Sequence, residues 1–176
     1  MSIKVMNYHQ NMTELYYTYY ESPTGLIRIG GTDTYVSELT FIDNKSQIKH
    51  GEPGISDVLH HCTEQLIEYF QGKRKDFYIP IHQEGTEFQS EVWSKLLEVP
   101  FGKTLSYAEL SRIIGDPKAV RAVAGANSKN KIAIIVPCHR VIGTDKSLTG
   151  YSGGLMRKKW LLQHEFRIKN GIQTLF

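Results

Sequence analysis

The chain has 176 residues, of which 40% are hydrophobic and 22% are charged, and its formal net charge is +3. This length and composition fit a soluble globular protein with one large domain or two small ones. No apolar run approaches the ~20 residues of a membrane span, and the first residues show no secretory signal pattern, so we expect no membrane association.

The two cysteines, Cys62 and Cys138, are too few for a disulfide framework or a four-cysteine metal site. This predicts a reducing, intracellular setting. The charges are divided unevenly, because residues 1–85 have a net charge of −4 and residues 86–176 have a net charge of +7. A basic half is typical of a protein that binds a polyanion such as nucleic acid, although a merely solvated basic surface would look the same.

The first half alternates apolar and polar residues in three short segments. Residues 15–20, 26–30 and 35–42 predict the strands of an antiparallel meander, with a turn at residues 22–25. The next segment predicts an amphipathic helix that Ser56 caps. Its buried stripe comprises Leu59, Cys62, Leu66 and Phe70. We therefore interpret Cys62 as a small core residue.

The second half predicts helices. We place the domain boundary in the connecting stretch 76–86, which gives domains over residues 1–85 and 86–176, and Thr86 begins a capping box. Ser106 caps a short helix that ends near residue 114. Asp116 and Pro117 are predicted to begin a second helix that runs to about residue 127, and the pair indicates a helix-turn-helix.

An apolar run over residues 132–136 predicts a buried strand or extended segment that delivers Cys138 to a fixed point. A thiolate is a strong nucleophile, and a nearby His139 or Arg140 can lower its pKa. Glu165, at the predicted end of a last helix over about residues 155–164, is a candidate for orienting the imidazole. The alternatives for Cys138 are an inert buried thiol and a Cys-His metal pair, and no second ligand pair supports the metal.

The segment Pro137-Cys138-His139-Arg140-Val141-Ile142 resembles the active-site motif of the O6-alkylguanine-DNA alkyltransferases, also called methylated-DNA–protein-cysteine methyltransferases. The resemblance extends from about residue 88 to residue 165. Its further parts are Ser106-Tyr107, Arg121-Ala122-Val123, Asn130, Gly150-Tyr151-Ser152-Gly153-Gly154, Lys158 and Leu161-Leu162.

The resemblance implies an α+β fold. An N-terminal ribonuclease-H-like domain would contain a small antiparallel sheet, and a mostly helical C-terminal domain would contain the helix-turn-helix. This unit would enter the minor groove of double-stranded DNA, and the damaged guanine would be flipped out of the duplex. Arg121 would fill the gap left by the flipped base, Tyr107 would rotate the nucleotide, and Val120 and Ala122 would line the groove.

In the pocket, the resemblance makes Cys138 the acceptor of the alkyl group. His139 would activate it through a water, Glu165 would orient His139, Asn130 would brace the turn around the thiol, and Tyr107 would donate to guanine N3. The remaining contacts to guanine would come from Ser152, from the backbone near Tyr151, and from the carbonyls of Cys138 and Val141.

The implied reaction is the repair of O6-methylguanine, and possibly of O4-methylthymine, by irreversible transfer to Cys138. No residue of the motif removes a thioether, so the protein would act once. The resemblance implies no cofactor and no metal, a monomer, and a cytoplasmic location, with nuclear or nucleoid association where access to DNA requires it.

The chain departs from the family pattern in three places. Lys131 stands where the family often has a proline, residues 127–129 differ from versions with bulkier or glycine residues, and Cys62 alone does not support the zinc site of some members. A damage-binding relative without transfer would lack the acceptor cysteine, a regulator of transcription would need further domains, and a cysteine hydrolase would need turnover. We therefore expect direct-reversal repair.

Overall fold

The computed structural model describes residues 14–49 and 56–172. Its first layer is an antiparallel meander of three strands in the order β1-β2-β3. The strands are β1 Tyr16–Ser22, β2 Gly25–Gly31 and β3 Val36–Phe41. The Ser22 hydroxyl donates to the Gly25 carbonyl at 2.6 Å and closes the first turn, where Gly25 has a φ of 112° that suits glycine. The predicted meander is confirmed.

Helix α1, Asp57–Phe70, covers one face of this sheet. The Ser56 side chain accepts a hydrogen bond from the Leu59 amide, as a cap should, and the predicted stripe is buried. Cys62 is completely buried in that stripe, and burial raises the pKa of its thiol to about 12, so it is an inert core residue as predicted.

The remaining helices are α2 Glu87–Leu97, α3 Tyr107–Ile113, α4 Val120–Ser128 and α5 Leu155–Lys169. The predicted capping box at Thr86 is present before α2, and the predicted cap Ser106 also forms a full capping box before α3. Two short strands, β4 Leu105–Ser106 and β5 Val141–Ile142, pair in parallel. Since β4 leads directly into α3 and β5 directly follows Cys138–Arg140, this pairing sets Tyr107 beside the nucleophile segment.

Three predictions of local structure were wrong. Helix α4 begins at Val120, because Asp116 accepts from the Lys118 amide at 2.9 Å in a separate turn and does not cap the helix. Helix α5 continues to Lys169, so Glu165 lies inside it. The run 132–136 is buried but turns, with a single bridge from Ile132 to Leu39 and a φ of 69° at Ile134.

The two halves are joined along strand β3. The Leu39 amide donates to the Lys131 carbonyl at 2.8 Å, and the Ala133 amide donates back to the Leu39 carbonyl at 3.0 Å. Nearer the start of the strand, Val36 pairs in the same way with the segment around Ile81. The sheet edge therefore holds the turn that precedes Cys138. The boundary between residues 85 and 86 stays a prediction.

No helix in the described part of the chain is long and apolar enough to cross a membrane.

Candidate active site

Cys138 begins a single 3-10 turn, Cys138–Arg140, and only 2% of it is exposed. The turn follows Pro137, and the Cys138 amide donates to the Val136 carbonyl at 2.8 Å. An adjacent histidine would point away from the thiol in an extended strand. Here the turn keeps Cys138, His139 and Arg140 all buried in one place.

Asn130 braces the nucleophile segment. Its amide nitrogen donates to the Val136 carbonyl at 2.8 Å and to the Cys138 Sγ at 3.1 Å, and its oxygen accepts from the Ile132 amide at 3.0 Å. One buried amide thus satisfies the backbone of the tight turn and touches the sulfur. Asn127 adds a longer contact, from its nitrogen to the Cys138 carbonyl at 3.4 Å.

His139 and Glu165 form a buried pair, with Nε2 of the imidazole 2.7 Å from Oε1 of the carboxylate. A carboxylate only accepts, so Nε2 carries the proton and Nδ1 carries the free lone pair. Burial lowers the pKa of His139 more than Glu165 raises it, which keeps the ring neutral at neutral pH. Nδ1 is buried and has no hydrogen-bond partner among the described residues.

Glu165 is surrounded by donors. Its oxygens accept from the Arg140 guanidinium at 3.0 Å, from the Gly102 amide at 2.8 Å and from the Tyr69 hydroxyl at 3.0 Å. Burial alone would raise the pKa of this carboxyl, but His139 and Arg140 outweigh burial and hold it well below its usual range. Glu165 is therefore an ionised, fixed acceptor.

Lys158 is a buried cation on α5, and its ammonium donates to the Thr149 carbonyl at 2.6 Å. Burial lowers the pKa of Lys158 to about 8, against the attraction of a Cys138 thiolate. Burial likewise raises the pKa of the Cys138 thiol, and the Asn130 hydrogen bond and the Lys158 charge oppose that rise. Asn130 and Lys158 therefore make the Cys138 thiolate more stable than it would be if burial acted alone.

Tyr107 lies at the start of α3, next to the same loop. Its hydroxyl donates to the carbonyls of Thr149 and Gly150 at 3.2 and 3.3 Å, and the Asn127 nitrogen lies 3.5 Å from it. The Lys158 ammonium lies 5.7 Å from the centre of its ring. Asn127 therefore links Tyr107 to the nucleophile turn, because it also contacts the Cys138 carbonyl.

The predicted guanine contacts lie on the glycine-rich loop before α5 and on β5. Ser152 is exposed and shares a small cavity of about 40 Å³ with Asn130, whereas Tyr151 is buried. The Cys138 carbonyl accepts from the Val141 amide as well as from Asn127. Of these residues, Ser152 is the one that the structure places beside Asn130.

The predicted DNA contacts lie on α4. Arg121 and Ala122 are exposed, Val120 is half-buried against the core, and a side chain added at Gly125 would meet no atom within 4 Å. The opposite face, with Val123 and Ala126, is buried, and Trp93 on α2 donates to the Ala126 carbonyl at 2.9 Å. The exposed face of α4 therefore combines Arg121 with the small residues Ala122 and Gly125.

Residues 15–83 match a family model described as the ribonuclease-like domain of 6-O-methylguanine DNA methyltransferase, and residues 87–167 match one described as its DNA binding domain. The chain is also 43% identical over 153 residues to the methylated-DNA–protein-cysteine methyltransferase of Methanosarcina acetivorans, a match that covers 86% of this chain and 98% of that protein.

The chain belongs to the 6-O-methylguanine DNA methyltransferase family.

Solved structures support the family fold. The O6-methylguanine methyltransferase of Mycobacterium tuberculosis matches with a TM-score of 0.77 and 39% identity, and the OGT of that organism in complex with DNA matches with 0.79 and 40%. Each match covers 86% of this chain and 93% of the other. The predicted fold is confirmed, DNA is the partner, and the activity is that of a methylated-DNA–protein-cysteine methyltransferase, a DNA-repair reaction by alkyl transfer.

One departure from the methyltransferase family pattern has a clear structural place. The resemblance led us to expect a proline at the position of Lys131. The backbone N–H of Lys131, which a proline would lack, donates to the Gln83 side chain at 2.9 Å. The substitution therefore adds a contact between the connecting segment and the nucleophile turn, and it leaves Asn130 undisturbed.

The sequence predicted no role for Tyr69 or Lys158 in this methyltransferase site, and it suggested Arg140 only as a group that could lower the pKa of Cys138. In the structure Arg140 binds Glu165 instead. Lys158 and Glu165 stand three residues before and four residues after the buried Leu161, so all three lie on one helix face. A charged residue at a position where helix periodicity predicts burial indicates a functional role, so the sequence could have identified Lys158. The Tyr69 contact has no such signal, because 96 residues separate it from Glu165.

For the described residues, no group of three or more His, Cys, Asp or Glu side chains is arranged to hold a metal ion.

Proposed function

We propose that this protein transfers the alkyl group of O6-alkylguanine in double-stranded DNA to Cys138 Sγ, and that each molecule acts once. The observation that carries the proposal is the buried chain of contacts in which Asn130 holds the sulfur at 3.1 Å and Glu165 holds the neighbouring His139 at 2.7 Å. The arrangement suits a nucleophile with an adjacent, oriented base.

The thiol is activated by His139. Its Nδ1 lone pair accepts the Cys138 proton through a bridging water, and the Glu165 carboxylate stabilises the imidazolium that forms. Lys158 and the Asn130 amide then favour the sulfur anion electrostatically. Arg140 does not take part in proton transfer, because its role is to keep Glu165 ionised.

The thiolate displaces the base in line. A bond forms between Sγ and the alkyl carbon, and the bond between that carbon and guanine O6 breaks with its electron pair going to the guanine. The proton held by His139 returns through the water to the guanine. The guanine is the leaving group of the displacement, and it remains in the DNA strand as an unmodified base. The product is S-alkylcysteine, and no group at the site can attack a thioether, so the protein is spent.

The leaving guanine is stabilised by donors. The Tyr107 hydroxyl, which donates to loop carbonyls in the free protein, turns to guanine N3. The Ser152 hydroxyl and the backbone near Tyr151 donate to O6, and the carbonyls of Cys138 and Val141 accept from the exocyclic amine. These contacts read a base that has left the duplex.

The α3–α4 pair is the DNA-binding helix-turn-helix, and α4 lies in the minor groove. The small side chain of Ala122 permits close approach to the groove, with Val120 beside it, and the exposed Arg121 fills the gap left by the extruded nucleotide. The protein acts as a monomer in this proposal, and it acts where DNA is accessible in a reducing compartment.

Intact mass spectrometry tests the proposal. The protein is mixed with a duplex that contains O6-methylguanine, and we expect one gain of about 14 Da per molecule that maps to Cys138. Cys138→Ala should show no gain but still bind the duplex, and Cys62→Ala should behave as the unaltered protein. Damage-selective binding without a mass gain would contradict transfer.

Two further arms use the same assay. Arg121→Ala should slow the reaction with duplex DNA more than the reaction with the free O6-methylguanine base, and equal losses would argue against base extrusion by Arg121. A duplex that contains O4-methylthymine tests whether the pocket accepts that base as well.

A further inference from the structure

Tyr69, on helix α1 of the first half, contacts the reaction site through its side chain. Tyr69 is completely buried, and its ring packs against four other rings, with centroids between 5.3 and 6.0 Å away. The only polar atom of this side chain is the hydroxyl, and it donates to Glu165 Oε1 at 3.0 Å. The first half of the chain thus touches the carboxylate that orients the base.

Tyr69 and His139 compete for the same oxygen atom. Oε1 of Glu165 accepts from His139 Nε2 at 2.7 Å, from Tyr69 at 3.0 Å and from the Arg140 Nη2 at 3.0 Å. Each added donor spreads the negative charge of the carboxylate and weakens its pull on the imidazole proton. Packing alone would be served equally by phenylalanine, so the hydroxyl is the part of the residue with a polar role.

We infer that Tyr69 is a positioning residue for the transfer reaction, and that its hydroxyl limits how strongly Glu165 binds the protonated form of His139. The inference rests on the proposed function, in which neutral His139 is the base. Without the hydroxyl, Glu165 would hold a protonated His139 more tightly, and less of the base would be free at a given pH.

Tyr69 remains a donor over the working range, because burial and the neighbouring Glu165 charge raise its pKa well above 10. The other charged or titratable groups that face the pair come from the same turn, from α5 and from the glycine-rich loop. They are Cys138, Arg140, Lys158, Tyr151 and His164, whose Nε2 lies 2.8 Å from the Tyr69 carbonyl. None of them donates to Oε1 except Arg140, so the removal of one hydroxyl changes the balance at that oxygen directly.

The test compares Tyr69→Phe with Tyr20→Phe in the full chain. Tyr20 belongs to the same aromatic cluster, with its ring 5.8 Å from that of Phe70, but it does not contact Glu165. Single-turnover rates of methyl transfer from duplex DNA are measured from about pH 5 to pH 9. We expect the acidic limb of the Tyr69→Phe profile to move upward by about 0.5–1 pH unit, which is a threefold to tenfold loss of rate below the midpoint.

Two results would overturn the inference. One is a Tyr69→Phe profile that superimposes on that of the unaltered protein. The other is a loss of rate that is equal at every pH, because a purely structural role lowers the rate without moving the limb. A second measurement does not depend on transfer rates: the His139 ring nitrogens are titrated by NMR in Cys138→Ala with and without Tyr69→Phe, and an unchanged His139 titration overturns the inference equally. Absence of transfer by the unaltered protein would refute the proposed function instead.

Discussion

Glu165 is the residue on which the site depends, because one carboxylate meets a cation, an imidazole, a hydroxyl and a backbone amide. Replacing a single partner of such a buried pair typically costs about 3–5 kcal/mol, since the other charge is left without compensation. The same contacts make Arg140 a structural residue of the site. Its Nη1 also donates to the Val99 carbonyl at 2.6 Å.

Acid should remove the stability that Glu165 provides. Its folded pKa is depressed, so the unfolded chain binds the proton more readily; the contribution is complete above the ordinary carboxyl value of 4.5 and is lost as the pH falls below it. We expect the free energy of unfolding of Glu165→Gln, measured in urea, to lie below that of the unaltered protein at neutral pH, with a gap that narrows below about pH 4.5.

Glu91→Gln, on the exposed side of α2, provides the control for this titration and should follow the unaltered protein at every pH. A constant gap between Glu165→Gln and the unaltered protein down to pH 3 would show that folding does not lower the pKa of Glu165.

At the scale of single residues, adjacency in the sequence predicted His139 as a partner of Cys138, whereas the bracing role of Asn130 was predicted only through family resemblance. Their contacts depend on the turn at residues 132–137, which no local pattern predicts. The apolar run looked like a strand because its residues are β-branched, but the Asn130 side chain takes up the backbone groups that a strand partner would otherwise satisfy.

At the scale of elements, predictions succeeded where the determining contacts are local. The capping boxes at Thr86 and Ser106 each join residues three positions apart, so the sequence pattern carries the whole interaction. The start of α4 was predicted wrongly because Asp116 has two local choices, a cap or a turn. The Ser111 hydroxyl donates to the Asp116 carbonyl and favours the turn.

Gly125 allows a clean test of the exposed face of α4. Since an added Cβ meets no atom within 4 Å, Gly125→Ala should raise the free energy of unfolding by up to about 1 kcal/mol through helix propensity and leave repair unchanged. Gly125→Leu should keep that stability but weaken binding to duplex DNA at least tenfold, because the larger side chain holds the helix away from the groove. Chemical unfolding and fluorescence anisotropy with labelled duplex provide the two measurements, and equal affinity of both variants would exclude this face as the DNA surface.

At the scale of the whole molecule, the acidic and basic halves interact differently with DNA phosphates. The net charge of −4 over residues 1–85 keeps that half away from phosphates, while the +7 of residues 86–176 attracts them. The division into halves was visible in composition alone. The way in which they touch was not, because the β3 pairing and the Tyr69 contact join residues far apart in the chain.

Binding to DNA should weaken steeply with salt, since each phosphate contact releases counterions with a slope of about −0.9 in log affinity against log salt. Lys118→Gln, in the turn before α4, should make that slope less steep by about one unit, as expected for the loss of one phosphate contact. Lys75→Gln, an exposed lysine of the acidic half, should leave it unchanged. Identical slopes for the two variants, measured between 50 and 200 mM salt, would place the phosphate contacts elsewhere.

The pairing along β3 has a consequence for aggregation. Both Val36 and Leu39 exchange backbone hydrogen bonds with segments that follow the sheet in the chain, so this edge of the meander is covered by its own protein. A fragment that ends before residue 80 would leave the edge open, and open edges recruit strands from other molecules. The segment around Ile81 and, from the helical half, residues 131–133 therefore protect the sheet from self-association together. During synthesis the edge is fully covered only after the second half has been made.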